Sequence, residues 1–154
     1  MNHRRTKINT DRRSSRRRSS LKKIIPHKTK HIPNTDKGGY LHPNDFHISP
    51  NFNLREFQCP CCHAVIVHRK LVSLLQRLRE MQGGPLVVTS GYRCAPHNAA
   101  VGGVANSLHR RGLAADVAVA PAAQRAFCEM AKEAGFAKAL AYPERSFVHL
   151  EVLQ

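Results

Sequence analysis

The sequence predicts an α+β fold with a small, mostly antiparallel sheet and flanking helices. Helical periodicity marks two segments of the chain, and four short segments rich in β-branched or other apolar residues are typical of strands. These helices and strands do not alternate in the regular βαβ rhythm of a parallel sheet, so the strands are expected to pair antiparallel. Together they predict one folded domain over residues 40–154.

Basic residues are concentrated ahead of this domain. Residues 1–39 hold 13 of the 25 Lys and Arg residues but only 2 of the 10 acidic residues, and large apolar side chains are scarce there. Such a composition cannot bury enough surface to offset chain entropy, which predicts a disordered basic tail. The tail could contact nucleic acid or another polyanion, although no aromatic residue precedes Tyr40 to stack on bases.

Membrane-spanning and export segments are not expected. No window of the sequence approaches the roughly 18 consecutive apolar residues that a transmembrane helix needs, which excludes an integral membrane protein. The basic run Arg16–Arg18 is followed by Ser, Lys and Pro residues rather than by the apolar stretch of a signal peptide. The sequence therefore contains no recognisable export signal.

The first half of the domain contains an entry segment and a helix. The entry segment, residues 40–60, includes apolar residues at a spacing that suits either a short helical turn or an extended edge. The helix is predicted over 69–82, because four leucines recur at steps of three and four residues. Gly83, Gly84 and Pro85 then end it. The stripe comprises Leu71, Leu74, Leu75 and Leu78, extended by Met81.

The second half contains the strands and another helix. Pro121 opens this helix at the position where proline is best tolerated, and Gly135 caps it after Ala134. Residues 91–113 are small and polar and are predicted to form a loop. Strands are predicted over 86–90, 114–120, 137–142 and 147–153.

Two strands carry polar residues on one face. Alternation along 147–153 places His149 and Glu151 on the same face, opposite an apolar one. In the strand 114–120, alternation directs Val117 and Val119 to the core, whereas Asp116 lies on the opposite face with only Ala114 and Ala118 beside it. A single His or Asp on a strand is usually just solvated or hydrogen-bonded. Polar residues on two strands that could meet indicate a functional site more strongly.

A third polar residue precedes Asp116. His109 lies seven residues earlier, a separation of about 10.5 Å on a continuous helix, which is too far for two short side chains to share an ion. Gly112 allows the chain to bend between them. His109, Asp116 and His149 can then converge as three metal ligands and leave a fourth position for water, which is typical of catalytic Zn²⁺.

A metal-dependent hydrolase also needs a base and a cation. Glu151 lies about 6.6–6.8 Å along the strand from His149 and is the candidate base, with Glu144 as the alternative. Arg93 follows a predicted strand at a glycine and could donate to an oxyanion or clamp a substrate carboxylate. The alternative roles of these residues are a solvated glutamate and a surface salt bridge.

At these residues the sequence resembles the zinc D-alanyl-D-alanine carboxypeptidases and related peptidoglycan peptidases, which share a fold with the Hedgehog signalling domain. The resemblance covers roughly Phe46 to Val152. The motifs that carry it are Ser90-Gly91-Tyr92-Arg93, His97-Asn98 with Val101-Gly102-Gly103, Ser107-x-His109 with Gly112, Ala114 and Asp116, and Phe147-Val148-His149.

The resemblance implies roles for several residues. His109, Asp116 and His149 would bind Zn²⁺, Arg93 would assist the transition state, and Ser107 would line the substrate pocket. Many relatives have the catalytic acid three residues before the last ligand, where this sequence has Ser146. The branch that this chain resembles has an acid two residues after the histidine, which favours Glu151.

The implied activity is hydrolysis of peptide bonds in bacterial peptidoglycan, as a D,D-carboxypeptidase or an endopeptidase. The alternative is a non-catalytic module of the same fold that keeps the zinc and binds the cell wall. A monomer is expected in either case. The substrate implies a location in the periplasm or cell envelope, which conflicts with the missing export signal unless the protein is a phage-type lysis enzyme or its start is misassigned.

The cysteines leave three interpretations open. Cys94 could form a disulfide with one of the cysteines at 59, 61 and 62. Alternatively, these cysteines could hold a structural metal together with His63 and His97, or the thiols could remain unpaired or partly paired. Their spacing is not that of two regular C-x-x-C knuckles. Cys128 lies on the apolar side of the second helix and is expected to be a small core residue.

Overall fold

The computed structural model describes residues 43–153. The predicted basic tail, residues 1–39, lies outside this range. Within it the chain forms two small antiparallel sheets and three α-helices, which confirms the predicted α+β class. No helix in this part of the chain is long and apolar enough to cross a membrane.

The entry segment contains both of the structures that its pattern allowed. A two-stranded sheet, β1 (His47–Ser49) with β2 (Phe52–Asn53), runs directly into a 3₁₀ helix at Leu54–Phe57. Asn53 caps this helix by accepting from the amide of Arg55, while Glu56 accepts from the amide of Asn53. The cap fixes the direction in which the chain enters the domain.

The main sheet has four antiparallel strands. The strands β3 (Val88–Ser90), β4 (Ala114–Ala118), β5 (Lys138–Tyr142) and β6 (Phe147–Glu151) pair in the order β3-β4-β6-β5. Three of the predicted strands extend one or two residues beyond these bounds, and the predicted strand 86–90 begins two residues too early. The β3–β4 register is irregular between Val88 and Ser90, so only a short stretch of β3 forms the ladder.

Two helices cover one face of this sheet. Helix α1 (Arg69–Gln82) coincides with its prediction and ends at Gly83. The predicted second helix begins as a 3₁₀ turn at Pro121–Ala123 and continues as an α-helix, Gln124–Ala134. Apolar side chains of both helices form one core with alternate residues of β4 and β6: Leu71, Leu75, Leu78, Phe127, Ala131, Ala115, Val117, Val148 and Leu150. Because these alternate residues are buried, the polar residues between them lie on the opposite face.

The predicted loop 91–113 contains more structure than its composition indicated. It includes a six-residue helix, Ala95–Ala100, and a 3₁₀ helix, Leu108–Arg111. Neither is long enough to show helical periodicity, and Pro96 occupies the first turn of the former. In chain order, the helix at Ala95–Ala100 is α2 and the helix at Gln124–Ala134 is α3.

A tight bend at Gly112 joins the 3₁₀ helix to β4. Gly112 has a φ of 67°, in the left-handed region that glycine occupies without strain. The neighbouring backbone also leaves no room for a side chain, because a Cβ atom there would lie 2.4 Å from the carbonyl oxygen of Ile66. The sequence is therefore restricted to glycine at this position by both conformation and space.

Gly83 offers a matched test of these two restrictions. It has the same φ of 67°, but no atom would lie within 4 Å of an added Cβ. We expect Gly83→Ala to cost about 1–2 kcal/mol of the free energy of unfolding, the conformational penalty alone. Gly112→Ala should cost clearly more, measured by denaturant unfolding of both variants. Equal losses would contradict the close approach of the Ile66 backbone.

Candidate functional site

The register of the main sheet places Asp116 beside two other polar residues. In the β4–β6 ladder Asp116 pairs with His149, and in the β3–β4 ladder it pairs with Ser90. Asp116 is 4% exposed although it carries a carboxylate. The free face of the sheet therefore has a buried acid at its centre, directly opposite an imidazole.

His109 approaches the same point from outside the sheet. It lies on the 3₁₀ helix that ends at Gly112, and its Nδ1 is 2.7 Å from the carbonyl oxygen of Gly91. Because a carbonyl only accepts, Nδ1 carries the proton and the lone pair is on Nε2. That Nε2 lies 3.2 Å from Nδ1 of His149 and 3.3 Å from Oδ1 of Asp116.

The ring of His149 is oriented so that one nitrogen faces Glu151 and the other faces Asp116. Its Nε2 lies 3.0 Å from Oε1 of Glu151, and its Nδ1 lies 2.7 Å from Oδ1 of Asp116. An ionised Glu151 can only accept, so Nε2 donates to it. In neutral His149 the lone pair is then on Nδ1 and points towards Asp116 and His109.

Three lone-pair atoms thus meet at one point: Nε2 of His109, Nδ1 of His149 and Oδ1 of Asp116. Three acceptors at this distance repel one another unless a proton or a cation lies among them. Ligand atoms around a tetrahedral ion with bonds of 2.0–2.1 Å are about 3.3 Å apart. Two of the observed separations, 3.2 and 3.3 Å, match this value, and the third, between Nδ1 of His149 and Oδ1 of Asp116, is shorter at 2.7 Å.

The electrostatic environment keeps Asp116 ionised. Burial raises the pKa of its carboxyl, but the two imidazoles, when a proton lies between them and the carboxylate, and the charge of Arg93 outweigh this effect and hold the pKa well below its ordinary value. For His149, burial lowers the pKa, whereas Asp116 and Glu151 together raise it above its ordinary value. The site thus stabilises a negative charge on Asp116 and attracts a positive one.

Arg93 contacts the other oxygen of the same carboxylate. Its Nη2 forms an ion pair with Oδ2 of Asp116, and its Nε donates to Oγ of Ser90 at 2.7 Å. Its backbone amide donates to the carbonyl of His109 at 3.3 Å. Arg93 therefore holds Asp116 so that Oδ1 points to the two histidines. The sequence placed Arg93 near the cleft but contained no signal for this pairing, which joins residues 23 positions apart.

These residues line a cleft of about 1260 Å³. Both histidines, Asp116 and Arg93 lie along it, together with Ser107 and Glu151. The side chain of Ser107 makes no capping hydrogen bond to the 3₁₀ helix that it precedes. Glu144, the alternative base, is exposed and is not among the residues that line the cleft.

The comparison with known families agrees with this arrangement. Residues 50–151 match the model of the Peptidase M15 family, and the chain belongs to that family. This confirms the resemblance to the zinc D-Ala-D-Ala carboxypeptidase-like enzymes. The chain is accordingly a member of a metal-dependent peptidase family, and this membership implies a peptide substrate. No curated protein sequence matches the chain.

The hydrogen bond between Ser90 and Arg93 can be tested through stability. Ser90→Ala leaves the Nε–H group of a mostly buried guanidinium without its partner, and we expect it to lower the free energy of unfolding by about 1–2 kcal/mol. Ser73→Ala, on the exposed face of α1, is the control and should change it by less than about 0.5 kcal/mol. Similar values for the two variants would mean that Ser90 does not hold Arg93.

Proposed function

We propose that the protein is a zinc-dependent peptidase that hydrolyses peptide bonds of bacterial peptidoglycan. One observation carries the proposal, namely the convergence of three lone-pair atoms from His109, Asp116 and His149 within a cleft. Membership of the M15 family supports a metal-dependent peptidase. The cell-wall substrate rests on the resemblance to D-Ala-D-Ala carboxypeptidases.

The metal ligands in this proposal are Nε2 of His109, Oδ1 of Asp116 and Nδ1 of His149. Two imidazoles and one carboxylate are a donor set that suits Zn²⁺ and leaves room for further coordination. A bound zinc ion would polarise the scissile carbonyl and acidify a water molecule. Gly91 and Glu151 accept from the outer nitrogens of the two rings, and so the lone pair of each neutral ring is on its inner nitrogen.

Glu151 is proposed as the base that accepts a proton from the attacking water. Its contacts with His149 and Lys138 both use Oε1, which leaves Oε2 for a water molecule in the cleft. Its side chain is 22% exposed and borders the cleft, whereas Glu144 does not line it. The contact with His149 also gives Glu151 a positioning role, so the experiment must separate the two.

Arg93 and Ser107 are proposed to act on the peptide itself. The guanidinium of Arg93 lines the cleft; one N–H group is paired with Asp116 and the Nε–H group with Ser90, so the remaining N–H groups can donate to a developing oxyanion. The hydroxyl of Ser107 is not used to cap its helix and can bind the substrate backbone. Further along, Arg110 and Arg145 line the same cleft and suit a peptide that carries a carboxylate.

The proposal predicts zinc-dependent release of muropeptide fragments from purified sacculi. We expect His149→Ala to bind one zinc ion fewer per chain than the parent protein and to release no fragments above background. The masses of the fragments identify the bond that is cut. His97→Ala is the matched control, because His97 also lines the cleft but lies outside the group of three.

Two results would contradict this function. If the parent protein holds zinc in the cleft but releases no fragments, it is a binding module of the same fold rather than a peptidase. If His149→Ala digests sacculi at the parent rate, the proposed zinc ligands are wrong.

The base is tested by Glu151→Gln. The amide keeps the size of the side chain and its acceptor oxygen for His149 but cannot take up a proton, so we expect kcat to fall by about 10²–10⁴-fold with the zinc content unchanged. Glu144→Gln is the control and should retain parent activity. Loss of zinc in Glu151→Gln would show that Glu151 acts by orienting His149, and an unchanged kcat would exclude it as the base.

A further inference from the structure

Four of the five cysteines lie together, although they come from two distant parts of the chain. Cys59, Cys61 and Cys62 occupy the turn that follows the 3₁₀ helix at Leu54–Phe57, and Cys94 lies between Arg93 and helix α2. All four sulfur atoms lie within 4.8 Å of one another. We call this group the cysteine cluster.

The sulfur separations do not correspond to disulfides. Sγ of Cys61 is 3.2 Å from that of Cys94 and 3.5 Å from that of Cys59, and Cys59 and Cys94 are 3.6 Å apart. A disulfide bond is about 2.05 Å long. All five cysteines are free thiols in the described part of the chain, so the structure does not contain the disulfide that the sequence left open.

The separations are close to those of four thiolates around one ion. With Zn–S bonds of about 2.3 Å, a tetrahedral site places its sulfur atoms about 3.8 Å apart. The three closest pairs, at 3.2, 3.5 and 3.6 Å, are shorter than this value by about 0.2–0.6 Å, and the remaining distances are within 4.8 Å. Four equivalent donors without an open position are typical of structural rather than catalytic zinc.

Backbone hydrogen bonds close the turn that carries three of the four cysteines. The turn is closed by hydrogen bonds from the amide of Cys59 to the carbonyl of Ala64 and from the amide of His63 to the carbonyl of Cys59. The closed turn keeps the sulfur atoms of Cys59, Cys61 and Cys62 together beside Cys94.

We propose that Cys59, Cys61, Cys62 and Cys94 bind a structural zinc ion that is separate from the metal of the cleft. Cys59 is fully buried, while Cys61 and Cys62 are exposed, so the ion would enter from the surface. Bound there, it joins the turn after the first 3₁₀ helix to the residue that follows Arg93. The site would therefore fix the loop that carries the guanidinium of the cleft.

The test is the number of zinc ions bound under reducing conditions by the full chain produced with added zinc. We expect two ions in the parent protein, one in His149→Ala and one in the double variant Cys61→Ser/Cys62→Ser. The double variant changes only exposed side chains, which limits damage to the core. Cys128→Ser is the matched control, since this buried cysteine on α3 lies outside the cluster, and it should keep two ions.

Cobalt substitution supplies a second measurement that does not depend on any variant. Four thiolates around Co²⁺ give intense sulfur-to-metal charge-transfer absorption in the near ultraviolet, whereas histidine and carboxylate ligands do not. We expect this absorption in the parent protein and in His149→Ala. Its absence from the cobalt-loaded parent protein would overturn the proposal even if the double variant failed to fold.

Other outcomes would also overturn it. These are a single zinc ion in the parent protein that is lost with His149, two ions retained by the double cysteine variant, or, in protein purified without reductant, a mass lower by two hydrogen atoms that marks a disulfide within the cluster. The proposed peptidase function would be contradicted by other results, namely no release of muropeptide fragments or no zinc ion in the cleft. Each metal is counted in the variant that lacks the other, so the two failures are distinguishable.

Discussion

The buried carboxylate of Asp116 is the constraint around which the cleft is organised. Removing an ionised carboxylate from water costs several kcal/mol unless charged or hydrogen-bonding partners replace the solvent. Here the partners come from three separate segments of the chain: Arg93 after β3, His109 on a 3₁₀ helix, and His149 on β6. The geometry of the cleft therefore follows from the need to place a charged or polar partner at each oxygen of this carboxylate.

The hydrophobic core determines where those partners lie. Val148 and Leu150 are fully buried against the helices, and this fixes which residues of β6 face the cleft. A shift of one residue in the β4–β6 ladder would turn His149 into the core and leave Asp116 opposite an apolar side chain. The burial of apolar residues on one face thus aligns the polar residues on the other.

The sequence predicted the parts of this arrangement that depend on local rules. Strand alternation gave the shared face of His149 and Glu151, and the glycine at 112 indicated the bend before Asp116. Two features depend on contacts across the sheet, which the periodicity of a single sequence does not predict. These are the pairing of Arg93 with Asp116 and the orientation of His149, whose Nδ1 rather than Nε2 faces that carboxylate. The roles of the candidate site residues remain proposals.

The segment from residue 91 to 94 was predicted to begin a loop, yet each of its residues is held by a different part of the molecule. The carbonyl of Gly91 accepts from His109, the amide of Tyr92 donates to the carbonyl of Phe57, and the side chain of Arg93 pairs with Asp116. Cys94 lies in the cysteine cluster.

Because these contacts point in different directions, no residue of the segment can move without breaking one of them. Gly91 is also packed so closely that an added Cβ would lie 2.5 Å from the Cα atom of Phe57. Small polar composition therefore indicated an absence of regular structure but not mobility. An irregular backbone becomes rigid when its partners are distant in sequence, and rigidity is what a residue that orients a buried carboxylate requires.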